Sequence, residues 1–264
     1  MRAGAVVIIA AMMADRGVAA PALADPICAD RPGKSTPTCT VAAGHWQVET
    51  GLADWALQKG GGERDTDIAI GETTVRYGLD AVSDIHIDFV PFERVASRAG
   101  GVHQRASGIG DVTILYKRRL TPADGPVQVA IMPVVKVPVA RKSIGNGKWE
   151  GGLLLPIDFA ITDSLGLNLT PEIDASADAD GHGAHAAMAQ VASLGWQATD
   201  KLSISAELWA QWDWDPSGTT RQASTGASAA YLASKDVQID AGASLGLNWV
   251  TPDVELYAGV AKRF

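Results

Sequence analysis

The sequence lacks any long apolar run that could form a membrane-spanning helix. After the first two dozen of its 264 residues, no stretch holds the roughly 18 consecutive apolar residues that such a helix needs. Apolar residues are not scarce, at 47% of the chain, but most of them alternate with polar ones. This pattern argues against an α-helical membrane protein and directs attention to strands.

Positive charge is also in short supply. The chain has 22 Lys and Arg residues against 30 Asp and Glu residues, and its net charge is −8. Binding to nucleic acid depends largely on cationic side chains that neutralise phosphates. A nucleic-acid partner is therefore not expected.

Cysteine is limited to Cys28 and Cys39. The pair lies just after a candidate export signal, and exported proteins commonly join such close cysteines. A metal site would need more ligands nearby, and none is evident. We therefore predict a disulfide between Cys28 and Cys39.

The first 24 residues have the features of a secretory signal peptide. Arg2 supplies the positive start, residues 3–14 form an apolar core, and Ala22-Leu23-Ala24 offers a small-residue cleavage site. A buried N-terminal helix is the alternative. Residues 25–44 contain three prolines and are expected to be irregular, and they could lie in the periplasm or fold back as a plug.

From residue 45 to the end, apolar and polar residues alternate with the period of β-strands. We predict twelve strands, at 45–57, 65–79, 83–95, 107–120, 126–140, 147–161, 164–177, 184–198, 201–215, 219–233, 236–249 and 252–264. The last strand ends the chain on Phe264, which is how bacterial outer-membrane barrels usually finish. Its other apolar residues share one face, and Lys262 falls on that face too.

The predicted connections alternate in length. Short turns are expected at 80–83, 121–126, 162–164, 199–201 and 234–236. Longer connections, mostly Gly-rich or charged, are expected at 58–64, 96–106, 141–146, 178–183 and 215–218, and a very short one at 250–253. Short turns on one side and long loops on the other are typical of outer-membrane barrels.

These features together predict an all-β transmembrane antiparallel up-and-down barrel of twelve strands over residues 45–264. In lipid every backbone donor and acceptor must be paired within the protein, so a sheet must close on itself. Aromatic residues near predicted strand ends fit interfacial girdles, and they are Trp46, Trp149, Trp196, Trp212, Trp214, Trp249 and Tyr231. A soluble β-sandwich is the alternative.

Five short motifs resemble an outer-membrane transporter family named for the meta-pathway of phenol degradation. They are residues 30–33 (DRPG), 44–51 (GHWQVETG), 108–113 (GIGDVT), 135–138 (VKVP) and 150–156 (EGGLLLP). The family is similar to the twelve-stranded channels that export functional amyloid subunits. The resemblance implies a barrel in the bacterial outer membrane and does not define a substrate.

Charged residues of both signs fall on the predicted inner face. The candidates for lining the lumen are Glu49, Glu72, Arg76, His86, Asp88, Asp111, Lys117, Arg119, Lys136, Glu172, Asp174, Glu207 and Asp213. Such a lumen is either a water-filled path or a salt-bridged core that fills a narrow barrel. The sequence leaves both open.

Catalysis and metal binding are weakly indicated. His86 and Asp88 share one face of a strand, but the chain contains no His-x-Ser, which a barrel phospholipase would need. Asp213 and Asp215 resemble barrel-protease residues only by position. His182 and His185, near two aspartates, could bind a metal, although a solvated loop is the simpler interpretation.

We therefore expect a channel or transporter for small molecules, aromatic or hydrophobic ones included, without enzymatic activity, cofactor or metal. The alternative is an export channel or structural barrel with a plugged lumen. The expected partners are outer-membrane lipid, small solutes and the barrel assembly machinery, which would recognise the C-terminal strand ending in Phe264.

Overall fold

The computed structural model describes residues 25–264, so the predicted signal peptide lies outside the described residues. Regular structure in this part of the chain consists of strands. Their bounds are β1 Trp46–Gly60, β2 Glu63–Ile70, β3 Glu72–Asp80, β4 Ser83–Phe89, β5 Phe92–Ala99, β6 Val102–Gly108, β7 Val112–Arg119, β8 Val127–Val137, β9 Glu150–Leu154, β10 Ile157–Ala160, β11 Leu165–Ala177, β12 Ala184–Thr199, β13 Leu202–Asp215, β14 Gly218–Ser234, β15 Val237–Gly246 and β16 Val254–Arg263.

The strands form one antiparallel sheet that closes where β1 pairs with β16, from Gln47 opposite Arg263 to Leu57 opposite Val254. Four barrel strands are interrupted, and their two parts are β2 with β3, β4 with β5, β6 with β7 and β9 with β10. Counted this way, the barrel has twelve strands, and the predicted fold is confirmed. The described residues include no helix that is long and apolar enough to cross a membrane.

Three of the interruptions and a bulge in β1 lie side by side. Gly71, between β2 and β3, donates to the Gly51 carbonyl beside the β1 bulge, and Gly110, between β6 and β7, donates to Val90. Gly71 has a φ of 73°, a conformation that glycine adopts without a Cβ clash. Each extra residue moves the following side chains to the opposite face of the sheet.

Two connections predicted as long loops are tight hairpins instead. Gly60 pairs with Glu63 across a two-residue turn, and Ala99 pairs with Val102 across another. The central residues, Gly61–Gly62 and Gly100–Gly101, all have positive φ. Two such residues form the turn that matches the twist of a hairpin, so the strands extend through 58–64 and 96–106.

Among the remaining extracellular connections, the one at 178–183 has the predicted bounds, and the others differ from the prediction. β13 and β14 are joined by only Pro216 and Ser217, whereas residues 247–253 form a longer connection than expected. The longest one spans residues 138–149. Within it, Arg141 Nη2 donates to the Ser107 carbonyl, beside the edge of β6 that does not pair with β5.

The outer surface of the barrel is apolar and carries the predicted aromatic residues at its margins. Trp249 is 80% exposed and Trp149 is 66% exposed, and Trp46, Trp196, Trp212, Trp214 and Tyr231 are exposed as well. Lys262 also points outward, with Nζ 4.6 Å from the centre of the Phe264 ring. An apolar band with aromatic margins fits contact with lipid.

Candidate functional site: the lumen and its N-terminal segment

Residues 25–44, called here the N-terminal segment, enter the lumen from the periplasmic end and return to it. At the start of the segment, Arg263 Nη2 donates to the Asp25 carbonyl at 2.8 Å, and Ile27 donates to Lys235 at 2.7 Å. At its end, Ala43 forms a bridge with Gly78. The segment therefore crosses the interior of the barrel between two attachments at one rim.

Inward carboxylates of the barrel wall accept the backbone donors of the segment. Glu49 accepts from the amides of Asp30 and Arg31 at 2.9–3.2 Å. On the opposite wall, Glu207 accepts from the Lys34 and Ser35 amides at 3.0 and 3.2 Å and from Ser35 Oγ at 2.6 Å. Because an irregular buried chain has no sheet partner, these bonds satisfy donors that would otherwise be unpaired.

Two further carboxylates complete this set. Asp158 accepts from the amide and the hydroxyl of Thr38 at 2.8 and 2.7 Å. Asp84 accepts from the Val41 amide at 2.8 Å. The segment is thus anchored to several strands around the barrel by acidic side chains of the wall.

A buried network of charges fixes the segment to β1, β3 and β4. Arg76 has a fully buried side chain, and its Nη1 lies 3.0 Å from both Asp30 and Glu49. Its Nη2 lies 2.8 Å from Asp84. A buried guanidinium needs such partners, because an uncompensated buried charge is strongly destabilising.

Lys117 and His86 extend the network. Lys117 Nζ lies 2.5 Å from Asp30 Oδ1, and His86 Nε2 lies 2.9 Å from Asp84 Oδ1. Asp30 belongs to the segment and not to a spanning strand. Burial raises its pKa, but Arg76, Lys117 and His86 outweigh burial and hold the pKa below the ordinary value. The Asp30 contacts are therefore present at neutral pH and weaken only as the pH falls through this lowered pKa.

The middle of the segment depends on close approach of the backbone to the wall. Gly33 has a φ of 89°, and a Cβ there would lie 2.5 Å from Glu207 Oε2. On the wall, a Cβ on Gly259 would lie 2.4 Å from Arg31 Nε. Lys34 Nζ lies 2.7 Å from Glu255. The two glycines leave the space that the segment occupies.

Cys28 and Cys39 form a disulfide, with their Cα atoms 6.3 Å apart. Their carbonyls accept from the same guanidinium, since Arg76 Nη1 is 3.1 Å from Cys28 O and Nη2 is 3.3 Å from Cys39 O. The disulfide thus closes a loop of the segment directly against the charge network.

The segment separates two cavities in the lumen. A cavity of about 570 Å³ lies on one side, and one of about 260 Å³ lies on the other. Asp30, Arg31 and Ser35 line both. A third cavity of about 660 Å³, the vestibule, lies towards the extracellular hairpins and shares Ala56, Asp67 and Glu255 with the 570 Å³ cavity. The vestibule and the 570 Å³ cavity are therefore adjacent.

The 570 Å³ cavity has an acidic wall and an apolar wall. The acidic residues beyond the segment are Glu49, Asp54, Asp67, Glu72, Asp88, Glu93 and Glu255, and the apolar residues include Leu115, Met132 and Leu154. Asp54, Asp67 and Asp88 each have a buried carboxylate oxygen without a hydrogen-bond partner. The cavity therefore offers both acceptors and apolar surface.

The structure distributes the residues predicted to line the lumen over several places. Glu49, Glu72, His86 and Asp88 line the large cavity. Arg76 and Lys117 belong to the buried charge network, and Glu207 accepts hydrogen bonds from the segment. The others lie away from this cavity. Lys136 Nζ lies 3.5 Å from Asp111, and Asp213 lies beside His185. Arg119 donates to the Ala81 carbonyl at a turn, and Glu172 and Asp174 lie on β11. Their role in a solute path remains a prediction.

The sequence interpretation missed Asp84 and three acids of the cavity. Asp84 continues the alternation of His86 and Asp88, so its signal was present, and His86 contacts Asp84 instead of Asp88. Asp54, Asp67 and Glu93 were missed because of the interruptions. Asp67 and Glu72 both line the cavity although they are five positions apart, an odd spacing that would place them on opposite faces of an unbroken strand.

A closed barrel with a lipid-facing apolar band and a polar lumen defines the class of outer-membrane β-barrels. The fold agrees with an outer membrane channel from Pseudomonas putida F1, at a TM-score of 0.72 and 12% identity, over 89% of this chain and 100% of that one. It is also similar to the NanC porin (TM-score 0.51, 10% identity, 82% and 98%). The β domain of the Bordetella autotransporter BrkA gives a TM-score of 0.51 at 12% identity, over 85% and 100%.

Residues 29–264 match the family described as "Putative MetA-pathway of phenol degradation", and the chain belongs to this family. A comparison with curated protein sequences finds no match. The predicted family and the predicted bacterial outer-membrane location are both confirmed.

Proposed function

We propose that this protein is an outer-membrane channel for small neutral aromatic molecules that carry a hydroxyl group, such as phenols. The observation that carries the proposal is that the vestibule adjoins the 570 Å³ cavity on its extracellular side. A phenol hydroxyl can donate to an unpaired oxygen of Asp54, Asp67 or Asp88, while its ring contacts Leu115 and Met132. The family description supports this class of solute.

The acidic wall would also select by charge. Acidic side chains outnumber basic ones in the lining of both the vestibule and the cavity, so an anion should meet net repulsion there. Neutral phenol should therefore pass faster than benzoate, which is similar in size but negatively charged. The difference in uptake rate between these two solutes distinguishes a selective channel from a non-selective pore.

Uptake into proteoliposomes tests the proposal. Relative to protein-free vesicles, purified protein should raise the uptake of phenol more than that of benzoate. Asp88→Leu should reduce this preference because it removes an acceptor from the cavity. Glu172→Leu is the matched control, since Glu172 is an inward carboxylate that does not line the cavity. Uptake of phenol at the rate of protein-free vesicles, or an equal protein-dependent increase for both solutes, would contradict the proposal.

A plugged barrel is the second candidate, and the anchoring of the N-terminal segment by Glu49, Asp84, Asp158 and Glu207 favours it. In this version the segment blocks the lumen until it is displaced. Deleting residues 29–43 should then raise the single-channel conductance in planar bilayers severalfold. An unchanged conductance would show that the segment is not the barrier.

Two further statements belong to the proposal. The protein acts by conduction and not by catalysis, and the barrel assembly machinery recognises β16 with its terminal Phe264. Loss of outer-membrane assembly on deletion of Phe264 would support the second statement, and normal assembly would refute it.

A further inference from the structure

A cluster of one histidine and three aspartates lies at the extracellular mouth, away from the N-terminal segment. His185 is near the start of β12, Asp178 lies in the connection before it, and Asp213 and Asp215 lie at the end of β13. β12 and β13 are paired neighbours. The cluster therefore joins two extracellular connections.

We propose that this cluster binds a divalent transition-metal ion such as Zn²⁺. His185 Nδ1, Asp178 and Asp215 are the ligands, and Asp213 orients the imidazole. Nδ1 lies 2.9 Å from Asp178 Oδ1 and 3.5 Å from Asp215 Oδ2. Two ligands that each lie about 2.0–2.2 Å from one ion are separated by roughly 3–3.5 Å, so only small shifts are needed.

The charges around His185 favour a cation. Among the described residues, the ion pairs of Asp178, Asp213 and Asp215 involve His185 alone. The nearby Lys148 donates its Nζ to the Gly181 carbonyl at 2.6 Å. Three carboxylates thus face one imidazole, and negative charge remains in excess even when the imidazole is protonated.

The His185 ring is buried, and one of its nitrogens lacks a hydrogen bond. Its side chain is only 7% exposed, and Nε2 is buried without a hydrogen-bond partner, although Asp213 Oδ1 lies 3.0 Å away. When Nδ1 binds a metal, Nε2 carries the proton and a small rotation aligns it with Asp213. A carboxylate that accepts from the second nitrogen is the usual support of a metal-binding histidine.

The cluster is also accessible to an ion. A cavity of about 400 Å³ is lined by His185, Asp213 and Asp215. Oxygen donors at its margin include Ser217 and Gln211. Imidazole together with carboxylates is a donor set that zinc uses in proteins.

Isothermal titration of chelator-treated protein in detergent micelles with ZnCl₂ tests the site. Wild-type protein should bind one ion, and His185→Gln and Asp215→Asn should each weaken binding at least tenfold. Asp213→Asn should weaken it about 10–100-fold, as expected for a supporting residue. His182→Gln is the matched control, because His182 is an exposed histidine of the same connection and should bind like wild type.

Cobalt gives an independent readout, since visible absorption of bound Co²⁺ reports nitrogen and oxygen ligation. This spectrum should be lost in His185→Gln, while heat-modifiable migration shows that the variant barrel is folded. Equal Zn²⁺ affinities of wild type and His185→Gln, or loss of binding in His182→Gln alone, would overturn the proposal. The cluster would then be a protonated histidine held by ion pairs.

Discussion

The two sides of the barrel hold the N-terminal segment by different means. The interrupted side, β1 to β7, contributes fully buried charges, among them Arg76, Asp84 and Lys117. The regular side, β11 to β15, has long unbroken strands, and its buried polar residues are mostly small hydroxyls such as Ser193, Ser224 and Ser228. On the interrupted side a network of several buried charges meets at Asp30 of the segment. On the regular side the segment is held by hydrogen bonds to Glu207 and Thr170 and by the ion pair of Arg31 with Asp240 at 3.3 Å.

The positions of the strand interruptions coincide with the boundary between the charge network and the acidic cavity. The buried network lies on β3, β4 and β7, directly periplasmic to the breaks, and the acidic cavity lies at the level of the breaks. An added residue in each strand turns Asp54, Asp67 and Glu93 into the cavity beside Glu72 and Asp88. The breaks therefore place a charged anchor next to an acidic cavity.

Arg76→Met should produce the largest change, because it breaks the interrupted side's network. Removing one partner of a buried ion cluster leaves uncompensated charge and costs about 3–5 kcal/mol. We expect the urea midpoint of unfolding from lipid vesicles to fall accordingly. The matched control is Arg119→Met, at the periplasmic turn, which should change the free energy of unfolding far less. Equal effects of the two variants would contradict a dominant role of the network.

Glu207→Ala should have an intermediate effect on the regular side. The Lys34 and Ser35 amides lose their acceptor, and an unsatisfied buried donor costs about 1–3 kcal/mol. Protease susceptibility of the segment should rise, while the barrel itself stays resistant. Glu172→Ala serves as the control, since no hydrogen bond joins Glu172 to the described part of the segment. A segment that stays protected in Glu207→Ala would refute this anchor.

The smallest expected effect concerns the Gly–Gly hairpins of the interrupted side. Gly100 has a φ of 55° and open space around its Cβ position, so alanine there tests the backbone alone. A left-handed alanine costs about 1–2 kcal/mol. Gly195→Ala on the regular side also has open space but no positive φ. It should leave the unfolding midpoint unchanged, and equal shifts in both variants would show that φ is not the cause.

Much of the barrel could be predicted from local sequence. Leu202, Ile204 and Ala206 alternate with Ser203 and Ser205, and such runs predicted the regular side well because nothing interrupts them. The glycine pairs Gly61–Gly62 and Gly100–Gly101 indicated a change of chain direction. A pair of glycines occurs both in long loops and in two-residue hairpins, so the pair alone does not tell which one forms. Only the pairing of the flanking residues distinguishes these outcomes.

The site was less predictable for two physical reasons. First, one extra residue, as at Gly71, moves every following side chain of the strand to the opposite face. The alternation of apolar and polar residues does not show where such an extra residue lies. Second, an irregular segment has no period at all. Nothing around Pro32 and Gly33 indicates that they lie near Glu207.

The sequence by itself determined that apolar and polar residues alternate along the chain and that its strands close into a twelve-stranded barrel. These properties are local or follow from the need to pair every backbone group in lipid. The tertiary structure alone decided which wall residues meet the N-terminal segment. Contacts such as Ser35 with Glu207 and Arg31 with Asp240 join residues 172 and 209 positions apart. Closure of the barrel brings them together, and neither residue's neighbours in the chain specify the partner.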